Sequence, residues 1–366
     1  MGADNSSSKF ITTRQKLVGI IASSKPIMSR GRLIGLLVLL VIFALIPLAV
    51  SSPYHLTLLI TVGYNAVLAM GFILLLRTGL ITLAVAGFWG VGAYTSTMLA
   101  MNLGLPFWLS LPAAGAMAGL VALGSGYLFV RNPGFAFVIM TMILGMVFVV
   151  LIGGTEFFGG YIGLRGIPPP DPINIPLLPP IEFTSKIPYY YTMLGLFAVV
   201  VIIYSAFYTS SIGRAWTAIG LSSQLAASQG INVFGYRLLA FVLAGATAGL
   251  MGGFYAHFIG SLIPETFNVF KTVYVHVYAI LGGIGSPFLG PLVGSLLMVF
   301  FPELMRITRE IEPIITGTLL IVLVIFLPRG IMGLPGVRVL AADPGQVMAK
   351  MSKAFKSRSS SRGAGK

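Results

Sequence analysis

Cysteine is absent, so disulfides, thiolate metal sites and a cysteine nucleophile are excluded. Charge is scarce as well: Asp, Glu, Lys and Arg make up 9% of 366 residues, against about 25% in soluble domains. Acids are the scarcer sign, 9 against 23 basic residues, for a net charge of +14. The Walker A pattern Gly-x-x-x-x-Gly-Lys-Ser/Thr is missing, and the one Gly-Lys pair is the terminal Gly365-Lys366, so the chain has no phosphate-cradling loop of that kind. His-Glu-x-x-His and Gly-x-Ser-x-Gly are missing too, which removes the common metalloprotease and hydrolase signatures. What is abundant is apolar: 57% hydrophobic residues and 45 glycines. An ordinary globular enzyme is excluded. The basic residues gather in the tails and beside apolar runs, not along one face of a soluble element, so membrane topology accounts for them and a nucleic-acid partner does not.

A helix needs about 20 apolar residues to cross a bilayer core. Runs of that kind fall at 33–52, 55–76, 79–100, 107–130, 134–153, 189–209, 238–263, 271–284, 286–302 and 313–328. The expected fold is therefore all-α, a polytopic transmembrane bundle of about ten spans, the eighth short and the third interrupted by glycine. With the N-terminus in the cytoplasm, Arg77, Arg131, Arg214, Arg237 and both tails lie inside, together 18 of the 23 Lys and Arg. Outside loops then hold Arg165, Lys186, Lys271, Arg306 and Arg309 among seven acids. This satisfies the positive-inside rule, and an even span number returns the C-terminus to the cytoplasm. The first run, at Leu33–Val50, exceeds the 7–15 residues of a signal-peptide core and reads as a retained span.

The chain divides into a basic N-tail (1–32), a membrane domain (33–328) and a basic C-tail (329–366). An external loop at 154–188 is rich in proline, including Pro168-Pro169-Pro170, and is expected to be extended. In the C-tail, Asp343-Pro344 precedes Met348, Met351 and Phe355 interleaved with lysines. That segment is open between a basic amphipathic helix on anionic lipid and a solvated tail.

The loop from 210 to 237 is the most informative polar segment. Ala218, Leu221 and Leu225 sit at i, i+3 and i+7, as on one helical face. Ser222 or Ser223 is placed to cap a second short helix, and Gly230 stands where a left-handed C-cap is wanted. Such a helical elbow, poor in charge and carrying Trp216, suits docking into a groove of another protein. A helix lying flat in the headgroup layer is the alternative.

The order Gly213-Arg214-Ala215, Leu221, Ala226-Ala227, Gly230-Ile231-Asn232-Val233 and Arg237-Leu238-Leu239-Ala240-Phe241 resembles the permease subunits of branched-chain amino acid ABC importers. So do Gly79-Leu80-Ile81-Thr82-Leu83, Phe88 to Thr95, Leu281 to Ser286 with Gly290-Pro291 and Gly294, and Pro328-Arg329-Gly330-Ile331. Gly160, Gly163 and Gly166-Ile167-Pro168 match the family's large outside loop. Two departures stand out. Gly220-Leu221-Ser222-Ser223 replaces a charged cluster, and Ala84-Val85 replaces the usual Gly-His.

The resemblance implies an inner-membrane permease, not an enzyme, that moves branched-chain or related amino acids. It implies a homologous or identical second permease, two cytoplasmic ATPases and an external solute-binding protein. ATP and Mg would be used by the ATPase subunits, and this chain would bind no cofactor or metal. The segment Arg214 to Gly230 would be the ATPase-coupling element, with Arg214, Trp216, Ile219, Leu221, Leu225 and Gly230 as its working residues.

No Asp, Glu, Lys or Arg falls near the centre of any expected span. Ion-coupled pumps and intramembrane hydrolases keep such residues there at a cost of several kcal/mol, so their absence weakens proton-coupled transport and intramembrane catalysis together; a secondary transporter or channel for a small neutral, amide or carboxylate solute is the rival reading. A membrane-embedded transferase is a weaker rival for the same reason. Solute-path candidates must then come from neutral polar and small residues: Asn65, Thr82, Tyr94, Thr95, His276, Gly283, Gly285 and Ser286. Glycine-rich segments are open between a broken helix beside the path and close packing with no path.

Overall fold

The computed structural model describes residues 43–47, 52–172, 182–304, 317 and 330–333. The expected first and last spans, both basic tails and the core of the proline-rich segment fall almost wholly outside these residues. Ten helices follow the short helical stretch at 43–47: α1 (Pro53–Leu76), α2 (Val85–Leu103), α3 (Phe107–Phe129), α4 (Phe135–Gly153), α5 (Lys186–Thr209), α6 (Ser211–Leu221), α7 (Ser223–Ser228), α8 (Val233–Ile259), α9 (Val269–Gly282) and α10 (Leu289–Leu304). The molecule is mostly helical, and α1, α3, α4, α5 and α8 are each long and apolar enough to cross a membrane. They are apolar around their whole circumference, as helices must be when one side meets neighbours and the other lipid.

Small residues decide the packing at the centre. On α8, Gly245, Gly249 and Gly253 recur every fourth residue and meet Ala114, Ala118 and Ala122 of α3, which have the same spacing. Gly92 of α2 abuts the Gly249 backbone, and Gly252 of α8 abuts the carbonyl of Trp89. A methyl group at either position would overlap main chain. With lipid tails as apolar as leucine, helices in a membrane associate through such close van der Waals approach. The glycines of 87–92 thus serve packing, and α2 runs through them unbroken.

The third run departs from expectation at its start. Residues 79–84 are not helical, and the helix begins only at Val85. The eighth run also begins earlier than expected, at Val269, after a non-helical descent from the end of α8 through Ser261–Leu262 (β2) and the 3-10 turn Pro264–Phe267. Val269 lies against Gly145, near the middle of α4, as do Leu83 and Ala84. Both α2 and α9 therefore start inside the bundle.

Exposed backbone N–H groups are not tolerated in hydrocarbon, and three threonines from three elements satisfy those of the α2 start. Thr141 accepts from Leu83 N–H at 3.0 Å, Thr82 from Ala84 N–H at 3.2 Å, and Thr272 of α9 from Ala86 N–H at 2.9 Å. Asn268 in turn caps α9 by accepting from Lys271 N–H at 3.1 Å.

The two ends of the bundle differ in chemistry. One gathers Arg77 over the Tyr208 ring (4.8 Å), Arg131 over Tyr127 (4.3 Å) and Arg237, whose Nε donates to the Thr78 carbonyl at 3.1 Å. The other carries the long loop. Instead of being wholly extended, that loop forms 3-10 turns at Glu156–Phe158 and Gly160–Ile162 and a two-residue strand, β1 (Leu164–Arg165), antiparallel to β2 with Leu164 opposite Leu262. Asp171 accepts from Phe107 N–H at 2.6 Å, a carboxylate at the positive end of α3. His257 bridges the Pro168 carbonyl (2.8 Å, from Nδ1) and the Ser96 hydroxyl (3.0 Å, at Nε2). The loop is thereby tied down onto α2, α3 and α8.

Candidate functional site

At the arginine-rich end, α6 and α7 form the elbow expected from the sequence, with its polarity redistributed. Ser210 caps α6, accepting from Ile212 N–H at 3.1 Å, and Ser222 caps α7, accepting from Leu225 N–H at 3.3 Å. Gly230 adopts φ +80° just beyond α7, as its C-cap position requires. Ala218, Leu221 and Leu225 do not share one helical face, because Ser222 is extended (φ −162°, ψ 109°) and divides the elbow between Leu221 and Leu225.

Trp216 and Ile219, expected on the docking surface, are both buried instead, at 0% and 2% exposure: Trp216 in the bundle core, Ile219 within the elbow beside Ala218, Ala226, Ile231 and Val233. The Trp216 indole donates to the Tyr236 carbonyl at 2.8 Å and packs on the rings of Phe207 and Tyr208. A Trp N–H seeks a partner when buried, and here the partner is the first turns of α8. Gly220 presses on the Arg77 carbonyl at the end of α1, and Gly213 on the Tyr208 carbonyl at the end of α5. The elbow is thus seated on α1, α5 and α8 at once. Its free surface carries Arg214, Gln224, Gly230, Leu221 at 61% exposure and Leu225 at 43%.

Half way across the bundle lies a second cluster. Trp89 stacks on Tyr64 (ring centroids 5.8 Å), meets Tyr255 at 4.5 Å and Phe267 at 4.8 Å, and Phe267 reaches Tyr94 at 6.1 Å. Tyr64 is near the middle of α1, which fixes the depth. Lys271, expected in an outside loop, sits here: its Nζ stands 5.9 Å from the Trp89 ring centroid. The loop after α8 descends before α9 begins and carries the lysine down with it. The sequence did hold a signal for this. Pro264, Glu265 and the capping Asn268 end the apolar run of α8 and restart a helix just ahead of Lys271.

The sequence-derived path candidates divide between two depths. Asn65 is buried in α1, its Nδ2 donating to Thr61 at 2.9 Å and its Oδ1 without a partner. Tyr94 is buried with its hydroxyl unpaired. Thr95, half-buried, bonds back to Val91 in its own helix at 2.7 Å. Thr82 is engaged in capping Ala84. His276 rests on Phe72 at 3.9 Å between centroids, its Nε2 unpaired. Gly283, Gly285 and Ser286 lie elsewhere, in the turn from α9 to α10, where Gly283 has φ +110° and Phe288 touches Tyr208 at the arginine-rich end. This second glycine-rich segment does interrupt a helix. It also packs tightly, Gly282 on Gly290 and Gly294 on the Tyr278 carbonyl.

A multi-pass helical bundle with a firmly seated polar elbow at one end and interrupted helices within is the build of a transport protein. The family model described as "Branched-chain amino acid transport system / permease component" matches residues 54–328, and the chain belongs to that family. It is the permease subunit of an ATP-binding cassette importer in the cell membrane.

Among curated relatives, the high-affinity branched-chain amino acid transport system permease protein LivM of Escherichia coli K12 is 28% identical over 324 residues, covering 80% of this chain and 74% of the relative. LivM of Salmonella typhimurium LT2 is 29% identical over the same shares. The nucleoside ABC transporter permease NupC of Lactococcus lactis is 28% identical over 144 residues, 38% of this chain and 45% of that one. No solved structure matches the chain.

Proposed function

We propose that this permease imports branched-chain or closely related amino acids. It would pair with a second permease of the same family or with itself, take solute from an external binding protein, and be driven by two cytoplasmic ATPases that bind the ATP and Mg. The arginine-rich end is then cytosolic, as the positive-inside rule requires. About ten spans with both termini inside complete the topology, the first and last lying outside the described residues.

The observation that carries this reading is the seating of the elbow. A surface that receives a mechanical stroke must be open on one side and rigid on the other. Leu221 and Leu225 are open. Trp216, Gly213 and Gly220 fix the opposite side to α8, α5 and α1. A push delivered at Leu221 passes through α6 into three long helices, with α7 packed back on α6 through Ala226 beyond the extended Ser222, and rigid-body rocking of packed helices is an established way to alternate access. The family's charged cluster is replaced here by Gly220-Leu221-Ser222-Ser223, so the docking chemistry differs from that of the family.

The test is the double substitution Leu221→Asp/Leu225→Asp in the full chain, co-expressed with its ATPases. Loss of ATPase co-purification with normal membrane insertion is expected. Undiminished association would overturn the reading.

A further inference from the structure

Lys271 is a cation inside an apolar bundle that the coupling mechanism does not use. Charged groups at such depth are costly, and in known cases they face a cavity or a counter-charge. Among the described residues no carboxylate lies within ion-pair distance of its ammonium, which stands 5.9 Å from the centroid of the Trp89 ring. The nearest acid in sequence, Glu265, is exposed and accepts from Asn268 Nδ2 at 3.0 Å.

Around the lysine, two deeply buried polar groups also lack partners: the indole N–H of Trp89, 0% exposed, and the hydroxyl of Tyr94, 2% exposed. Buried polar groups are nearly always paired, so two orphans that both pack on the Phe267 ring, one of them beneath the ammonium of Lys271, mark a place where something polar binds. The start of α9 adds to the positive potential, because its helix dipole begins at the same depth.

We propose that Lys271 is the carboxylate-binding group of a solute site half way across the permease, with Trp89 and Tyr94 supplying hydrogen bonds and Phe267 and Phe148 an apolar wall. The inference rests on the importer reading and deepens it. The solute class is an α-amino acid bearing a free carboxylate and an uncharged side chain. A zwitterion matches the donors on offer: carboxylate to the ammonium and the indole N–H, ammonium to the tyrosine oxygen, aliphatic side chain to Phe148 and Phe267, whose rings lie 6.3 Å apart.

The experiment is equilibrium binding of radiolabelled leucine, and separately of leucinamide, to the full permease assembly with its ATPases in nanodiscs, for the wild type, Lys271→Gln and Lys271→Arg. A charge-assisted hydrogen bond of about 1.5–3 kcal/mol corresponds to a loss of about tenfold or more. Lys271→Gln is therefore expected to weaken leucine binding at least about tenfold while Lys271→Arg largely restores it. Leucinamide, lacking the carboxylate, should bind the wild type weakly and be indifferent to Lys271→Gln.

Equal leucine affinity in Lys271→Gln, or leucinamide binding the wild type as tightly as leucine, overturns the proposal; the latter comparison needs no variant to fold. ATP-driven leucine uptake by a wild type that binds no leucine overturns it too. Carboxylate-dependent binding without ATP-driven uptake would support the site and count against the importer reading alone.

Discussion

Trp216 and Leu221 stand five residues apart and do opposite things. Trp216 is sealed against Phe207, Tyr208 and the Tyr236 carbonyl, whereas Leu221 is open. Trp216→Phe keeps most of the ring contact and loses one hydrogen bond, about 1 kcal/mol, with a small drop in thermal stability. Trp216→Asp buries an unpaired charge, one of the few ways a single change costs more than about 4 kcal/mol. Detergent-solubilised thermal unfolding would separate the two, and the Asp variant is expected to vanish from the folded membrane fraction. A charge at Leu221 should leave that fraction unchanged.

Apolar patterning in the sequence identifies Trp216 and Leu221 equally as elbow residues, because it measures hydrophobicity and not which side is covered. Their separation follows from Gly213 and Gly220, which let the elbow settle on the ends of α5 and α1.

For the five helices long and apolar enough to cross a membrane, position was legible from length and apolarity, since a lipid-facing helix has little freedom in either. The starts of α2 and α9 were not. Residues 79–84 are as apolar as the helix they precede, and the groups that satisfy their end and the first turn of α2 are tertiary: Thr141 arrives from a distant segment to accept from Leu83 N–H, and Thr272 to accept from Ala86 N–H. Thr272→Val preserves shape and removes one acceptor, leaving Ala86 N–H unpaired at a cost of about 1–3 kcal/mol. Lower thermal stability with Thr272→Ser restoring it is the expected result. Gly249→Leu tests the helix crossing. Its side chain has no room between Ala114 and Ala118, and overpacking of this kind costs about 1–3 kcal/mol or more, to be read as loss of monodisperse protein on size exclusion.

Across the whole molecule, the end with the long loop and the end with the elbow are joined by α1, α5 and α8. Asp171 anchors the loop by accepting from Phe107 N–H at the head of α3. Asp171→Ala is expected to cost about 1 kcal/mol as a lost helix cap and to raise proteolysis of the loop in intact cells. Transport by assembled protein should change less than loop protection does, since no contact of Asp171 reaches the elbow. That loop was visible in the sequence as a proline-rich insert. Its attachment through Asp171 and His257 was not, because single polar residues carry no period.

The hydrogen bond from Ala86 to Thr272 links the first turns of two helices that begin in the interior. Neither helix is free to slide lengthwise while that bond persists. While it holds, a displacement of α2 carries the start of α9 with it, so the two interior tips behave as one point of purchase within the bundle.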